Sequence, residues 1–214
     1  MPSAREIVYD VILQWSREGD FVSDLLDKAF RRHNTSPVDR RFANEIACGI
    51  VRRQGTLDAI LRPHVSRGLE NVEEGLRRLL HLGVYQLLFL SGVPDHAAVH
   101  ETVELAKKRR RPQWTGVVNG ILRSVIRNLT EETTDTPSAR AIPMSDGRYR
   151  IVTADTFPAP DRDLVGYLAD AFSFPRWLPQ RWQVRLPSAD LLALGFWFNS
   201  VPVLTLRVNS LRTQ

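Results

Sequence analysis

Residues 79–90 read LLHLGVYQLLFL, and this run constrains the fold more than any other stretch of the chain. It continues a helical pattern in which Leu76, Leu79, Leu80, Val84, Leu87 and Leu88 form one stripe, while Leu82, Tyr85, Phe89 and Leu90 cover much of the remaining circumference. A helix that is apolar nearly all round is stable in water only when other elements surround it. The run holds twelve positions, and a membrane-spanning helix needs about 20. It therefore predicts the central helix of a bundle.

The preceding and following residues supply the surrounding helices. Ser3 and Glu6 have the form of a capping box, and Ile7, Val8, Val11, Ile12 and Trp15 then recur at helical spacing. A second helix carries Phe21, Leu25, Leu26, Ala29 and Phe30. In SPVDRRFANEIACGIVRR, Ser36 can cap, Pro37 takes the first helical position and Asp39 complements the positive helix end. TLDAILRPHV predicts a short fourth helix, kinked near Pro63. Asn71 with Glu74 marks the start of the central fifth helix, the sixth runs from about Asp95 to Arg110, and the seventh from Pro112 to about Leu129. Residues 1–130 are thus expected to form an all-α bundle of about seven helices.

Gly49, Gly83, Gly116 and Gly120 fall inside these helices, where each costs roughly 1 kcal/mol against alanine. They are expected where helices cross closely, with Asn119 bonding to nearby backbone. After Leu129 the pattern lapses. TEETTDTPSARAIPMSDG is polar and without period, so residues 131–162 read as a linker or insertion, with RYRIVTA a candidate short strand. Helical character returns in RDLVGYLADAF, PRWLPQRW and SADLLALGFWFN, and VLTLRVNS at 203–210 alternates like a strand. Residues 163–214 are expected to be a small mixed α/β segment of a chain that looks cut soon after that strand.

Few residues offer chemistry of their own. Cys48 lies on an apolar helix face, where a cysteine behaves as a small buried hydrophobe; as the single cysteine it excludes an internal disulfide and a cysteine-built zinc site. His96 and His100 stand four apart beside Glu101, short of the ligand number of a zinc site, and capping or core roles are expected for them. No glycine-rich strand-to-helix turn of the kind that holds a nucleotide or S-adenosylmethionine is present, so no catalytic, cofactor-binding or metal-binding residue is assigned. MPSAREIVYD lacks a cationic start followed by an apolar block. A cytoplasmic monomer without a membrane or metal partner is expected.

Charge points elsewhere. The chain carries a net charge of +5, and arginine and lysine together number 29. Residues 1–130 hold all of the excess. Lys107, Lys108, Arg109, Arg110 and Arg111 form an unbroken cation run, and Arg31 with Arg32, Arg40 with Arg41, and Arg52 with Arg53 add three pairs. The helix dipole favours one or two cations where the sixth helix ends. Five in a row repel one another, and a polyanion such as RNA is the simplest compensating partner. These residues, with Arg123, are the candidate RNA-binding set.

The succession ACGIVRR at 47–53, LGVYQLLFL at 82–90, VPDHAAVHETVELAK at 93–107 and GVVNGILR at 116–123 resembles the NusB-like helical domain that opens the RsmB (Sun/Fmu) family of ribosomal RNA cytosine-5 methyltransferases. SFPRWLPQRW at 173–182 and NSVPVLTLRVNSLRT at 199–213 look like the segment that leads to the catalytic domain of that family. The resemblance implies an RNA-binding N-terminal region of a 16S ribosomal RNA methyltransferase that uses S-adenosylmethionine, with the cofactor loop and two catalytic cysteines downstream and missing from this chain. A non-catalytic NusB-like antitermination factor is the alternative, and a purely protein-binding helical domain a third.

Overall fold

The computed structural model describes residues 1–201 and 206–208. Seven helices come first: α1 (Ala4–Glu18), α2 (Val22–His33), α3 (Pro37–Arg52), α4 (Gln54–Leu61), α5 (Glu74–Phe89), α6 (Asp95–Lys108) and α7 (Trp114–Asn128). Ser3 Oγ accepts from the Glu6 amide at 3.3 Å and Ser36 Oγ from the Asp39 amide at 3.2 Å, so both expected caps close their helices. Past α4 the chain tightens into a 3₁₀ turn over Arg62–His64, where Pro63 stands. Asn71 does not cap α5. It ends a separate 3₁₀ turn and donates to the Arg67 carbonyl at 2.7 Å, and the extended Glu73 delays the helix to Glu74.

Helix α5 is the axis of the bundle, packed by α1, α3, α4, α6 and α7, with every residue from Arg78 to Leu88 buried. Of Gly49, Gly83, Gly116 and Gly120, the first two mark close crossings. A Cβ at Gly49 would fall on the ring and hydroxyl of Tyr85, and one at Gly83 would stand 2.7 Å from Leu122 Cδ1. Gly116 and Gly120 are different: nothing lies within 4 Å of where their Cβ atoms would be, and both are exposed. The expectation that GVVNGILR packs through these glycines is corrected accordingly. The packing face of α7 is Trp114, Val118, Leu122 and Val125, all buried, and the glycines look outward. Asn119 likewise bonds a side chain and not backbone, accepting from Arg123 Nε at 3.0 Å.

Residues 131–162, read as a linker, carry most of a three-stranded antiparallel sheet in the order β1 (Leu129–Thr134), β3 (Tyr149–Val152), β2 (Ala141–Pro143). Leu129 pairs with Val152 and Thr134 with Tyr149 across an irregular register, while Ala141 faces Ile151. Strand β1 gives no strand signal because it is polar and largely exposed; Arg150 pairs with Glu131 at 2.9 Å and Arg148 with Asp135 at 3.1 Å on the outer surface. Ala141, Ile142, Pro143, Tyr149 and Val152 are buried, and the first two and last two of these join a core continuous with the bundle. RYRIVTA does contain the anticipated strand, β3.

Three further helices, α8 (Leu164–Phe172), α9 (Trp177–Trp182) and α10 (Ser188–Asn199), follow the sheet. Helix α8 lies on α4, where Thr56 Oγ1 donates to the Ala171 carbonyl at 2.9 Å and the Thr56 amide donates to Ser173 Oγ at 3.0 Å. Asn199 closes the other side by donating to the Phe172 carbonyl at 3.0 Å. Most of the alternating run 203–210 lies outside the described residues. Among the described residues no helix is long and apolar enough to cross a membrane.

Candidate nucleic-acid interface

The structure treats the candidate cations unequally. Four members of the run at the end of α6 are tied to carboxylates: Lys107 to Glu104 at 2.6 Å, Lys108 to Glu6 at 2.6 Å, Arg109 to Asp10 at 2.8 Å and Arg111 to Glu73 at 3.2 Å. Arg109 also donates to the Glu6 carbonyl at 3.1 Å and lies over the Tyr9 ring, and Arg111 lies over Trp114. The run thus fastens α6 to α1 and to the start of α5. Mutual repulsion is relieved by acids of this chain. Arg110 alone among the five makes no ion pair within the described residues, and its left-handed φ of 57° closes the helix end.

Arg53 is buried. Its guanidinium donates to the Pro143 carbonyl at 2.8 Å and stacks 4.2 Å from the Phe89 ring centroid, joining bundle to sheet. Burial pushes its pKa down to about 10, and no phosphate can reach it in this fold. It is removed from the surface set.

The remaining members are open. Arg31 and Arg32 end α2, Arg40 and Arg41 begin α3, and the tight turn through Asn34 brings the two pairs to one corner of the bundle. Arg40 is steadied by donating to the Thr35 carbonyl at 2.9 Å and by the Phe30 ring. Arg31, Arg32 and Arg41 are exposed, and among the described residues they form no ion pair, nor does the half-buried Arg52.

A second open group contains Arg123 of the candidate set and brings it together with residues that were not assigned to that set. Helices α6 and α7 bound a groove of about 470 Å³ lined by His96 and His100 on one side and by Asn119, Arg123 and Arg127 on the other, with Asp95 at one end. The sequence signal was present, since His96 and His100, like Arg123 and Arg127, are four apart and share a helix face. What the sequence hid is that the two faces oppose each other. The described residues offer no group of three His, Cys, Asp or Glu side chains able to hold a metal ion.

Strong pKa shifts occur away from these surfaces. Burial alone would raise the Asp58 carboxyl, but hydrogen bonds from His81 and Arg77 outweigh it and hold the group down at about 2. Arg78 Nη1 lies 3.2 Å from His81 Nδ1; a guanidinium only donates, so Nδ1 accepts and Nε2 carries the proton given to Asp58. Burial lowers His81 further. This cluster is a polar brace between α4 and α5. Cys48 is half-buried, and burial pushes its thiol up, against reactivity.

Residues 2–127 match the NusB family. The chain is 32% identical over all 214 residues to the probable ribosomal RNA small subunit methyltransferase B of Synechocystis sp., covering 42% of that protein. It is 30% identical over 172 residues to the Bacillus subtilis protein of the same description, covering 36% of it. It therefore spans about two fifths of the length of these relatives. The transcription antitermination protein NusB of Shewanella frigidimarina is 28% identical over 125 residues, 58% of this chain and 93% of that one. In fold, the chain is similar to a structure of antitermination factors NusB and NusE in complex with dsRNA, with a TM-score of 0.53, 24% identity and coverage of 57% of this chain and 92% of that one.

Proposed function

Because this chain belongs to the NusB family, we propose that it is the RNA-binding N-terminal region of a 16S ribosomal RNA cytosine-5 methyltransferase. One observation carries the choice of methyltransferase: similarity to the Synechocystis protein runs through all 214 residues, including the sheet and α8 to α10, whereas similarity to the Shewanella antitermination protein covers 125 residues, 58% of the chain. The near-complete coverage of that shorter protein favours the second reading, a non-catalytic antitermination factor.

RNA binding draws support from the fold neighbour described with dsRNA and from the open cations Arg31, Arg32, Arg40, Arg41, Arg52 and Arg123. Contacts of this kind reach phosphates, so they position RNA and leave base identity to other groups. A target cytosine must leave its stack before carbon 5 is accessible, which is work for a separate catalytic unit. S-adenosylmethionine would supply the methyl group there. The residues described here do not fit that cofactor, because their sheet is a small antiparallel one with no strand-to-helix phosphate-type turn.

A domain exchange tests the proposal. Replacing the matched part of the Synechocystis relative by these 214 residues should give a protein that methylates cytosine in small-subunit ribosomal RNA. A chimera that folds and binds S-adenosylmethionine but neither binds nor methylates that RNA contradicts the methyltransferase reading.

A further inference from the structure

We propose that the groove between α6 and α7 is a phosphodiester seat, in which Arg123 and Arg127 hold neighbouring phosphates of one RNA strand and His96 and His100 close the site from the opposite wall. This deepens the RNA-binding reading and takes its ligand from it.

Charge left over after folding is the first argument. Four of the five cations of the run 107–111 are spent on Glu104, Glu6, Asp10 and Glu73, which leaves Arg110. Arg123 and Arg127 form no ion pair among the described residues, yet they stand in one groove with two imidazoles. Asp95 is the only carboxylate lining it. Glu104, one turn beyond His100, is engaged by Lys107 at 2.6 Å.

Geometry supplies the second argument. Asn119 Oδ1 accepts from Arg123 Nε at 3.0 Å, so the guanidinium is held by one edge while its two terminal nitrogens stay available for a bidentate contact. Residues four apart on a helix are roughly 5–6 Å apart at Cβ, a spacing comparable with that of consecutive phosphates along a strand. Arg123 and Arg127 therefore offer two donors in register with a backbone, and His96 and His100 repeat the spacing on α6. Only Val99, Val103 and Ile126 line the groove besides these polar residues. No Phe, Tyr or Trp ring lines the groove to stack a base, which favours backbone over base recognition.

The test uses the whole chain and two probes. Inorganic phosphate is titrated while the imidazole NMR signals of His96 and His100 are followed, each signal assigned with His96→Asn or His100→Asn. Fluorescence anisotropy then measures a labelled unpaired oligoribonucleotide at several salt concentrations. The double variant Arg123→Gln/Arg127→Gln should bind the oligonucleotide about tenfold more weakly at low salt and lower the slope of log affinity against log salt by about 1.4, because two phosphate contacts are lost. Arg148→Gln, at a cation outside the candidate set that is tied to Asp135 at 3.1 Å, should leave both within about twofold. Phosphate should shift both histidine signals in the native chain and neither in the double variant. If the double variant keeps its melting temperature, affinity and slope, the seat is wrong and the RNA reading survives at the α2–α3 corner. If phosphate shifts the histidines but no RNA binds, the anion seat stands and the RNA reading falls. Silent histidines contradict the seat whatever RNA does.

Discussion

His81 Nε2 donates to Asp58 Oδ1 at 2.7 Å in the middle of the bundle, and Arg77 closes the other carboxylate oxygen at 2.5 Å. Both partners titrate in a direction that makes folding acid-sensitive. The folded pKa of His81 is lowered by burial, so the unfolded chain takes up the proton first and stability falls as pH drops below about 6.5, the ordinary histidine value. Asp58, held at about 2 against an ordinary 3.8, contributes stability that is present above its ordinary value and lost as pH falls towards 2. Its share is on the order of 2 kcal/mol. Urea melts of the native chain should therefore weaken in two stages, and Asp58→Asn should flatten the lower one.

The glycines divide into two kinds with opposite expected effects. Gly49→Ala places a methyl group on the buried Tyr85, whose hydroxyl is held by Glu45 at 3.1 Å, and should cost about 1–3 kcal/mol. Gly120→Ala meets nothing within 4 Å in the middle of α7 and should stabilise by about 0.5–1 kcal/mol. Denaturant midpoints should move in opposite directions; movement in the same direction contradicts the placement of α7.

Arg110 adopts a left-handed φ of 57° at the end of α6, where its amide donates to the Lys107 carbonyl and that of Arg111 to Ala106. Such a helix-ending position favours glycine. Arg110→Gly should raise stability by up to about 1 kcal/mol, while Arg110→Ala should stay within about ±0.5 kcal/mol. A loss with glycine would mean that the cation, and not the backbone, closes the helix.

The bundle was legible because its signals are local. The stripe through Leu76 to Leu88 and the caps at Ser3 and Ser36 each sit within a few residues of what they determine. Strand β3 was read in RYRIVTA, but β1 and β2 were not legible, since β1 is polar and largely exposed and β2 holds only three residues. The charge of the candidate surface was legible only in part. Arg31, Arg32, Arg41 and Arg123 are exposed, but the partners of Lys108 and Arg109 lie 102 and 99 residues earlier in the chain. Arg53 was hidden for the same reason, its acceptor at Pro143 being 90 residues away. A window of neighbouring residues shows a cation and not the carboxylate that folding brings to it.

RNA binding itself is the central claim, and its salt dependence is the most direct measurement. Anisotropy of a labelled 16S ribosomal RNA hairpin, titrated with the native chain at increasing salt, should give log affinity falling linearly against log salt. Each phosphate contact should contribute roughly 0.7 to 0.9 to the slope, so four contacts at the open arginines would give about −3. An unrelated hairpin should give a similar slope, since phosphates carry no sequence. A folded chain that binds neither hairpin at low salt, or binds with a slope near zero, contradicts the account.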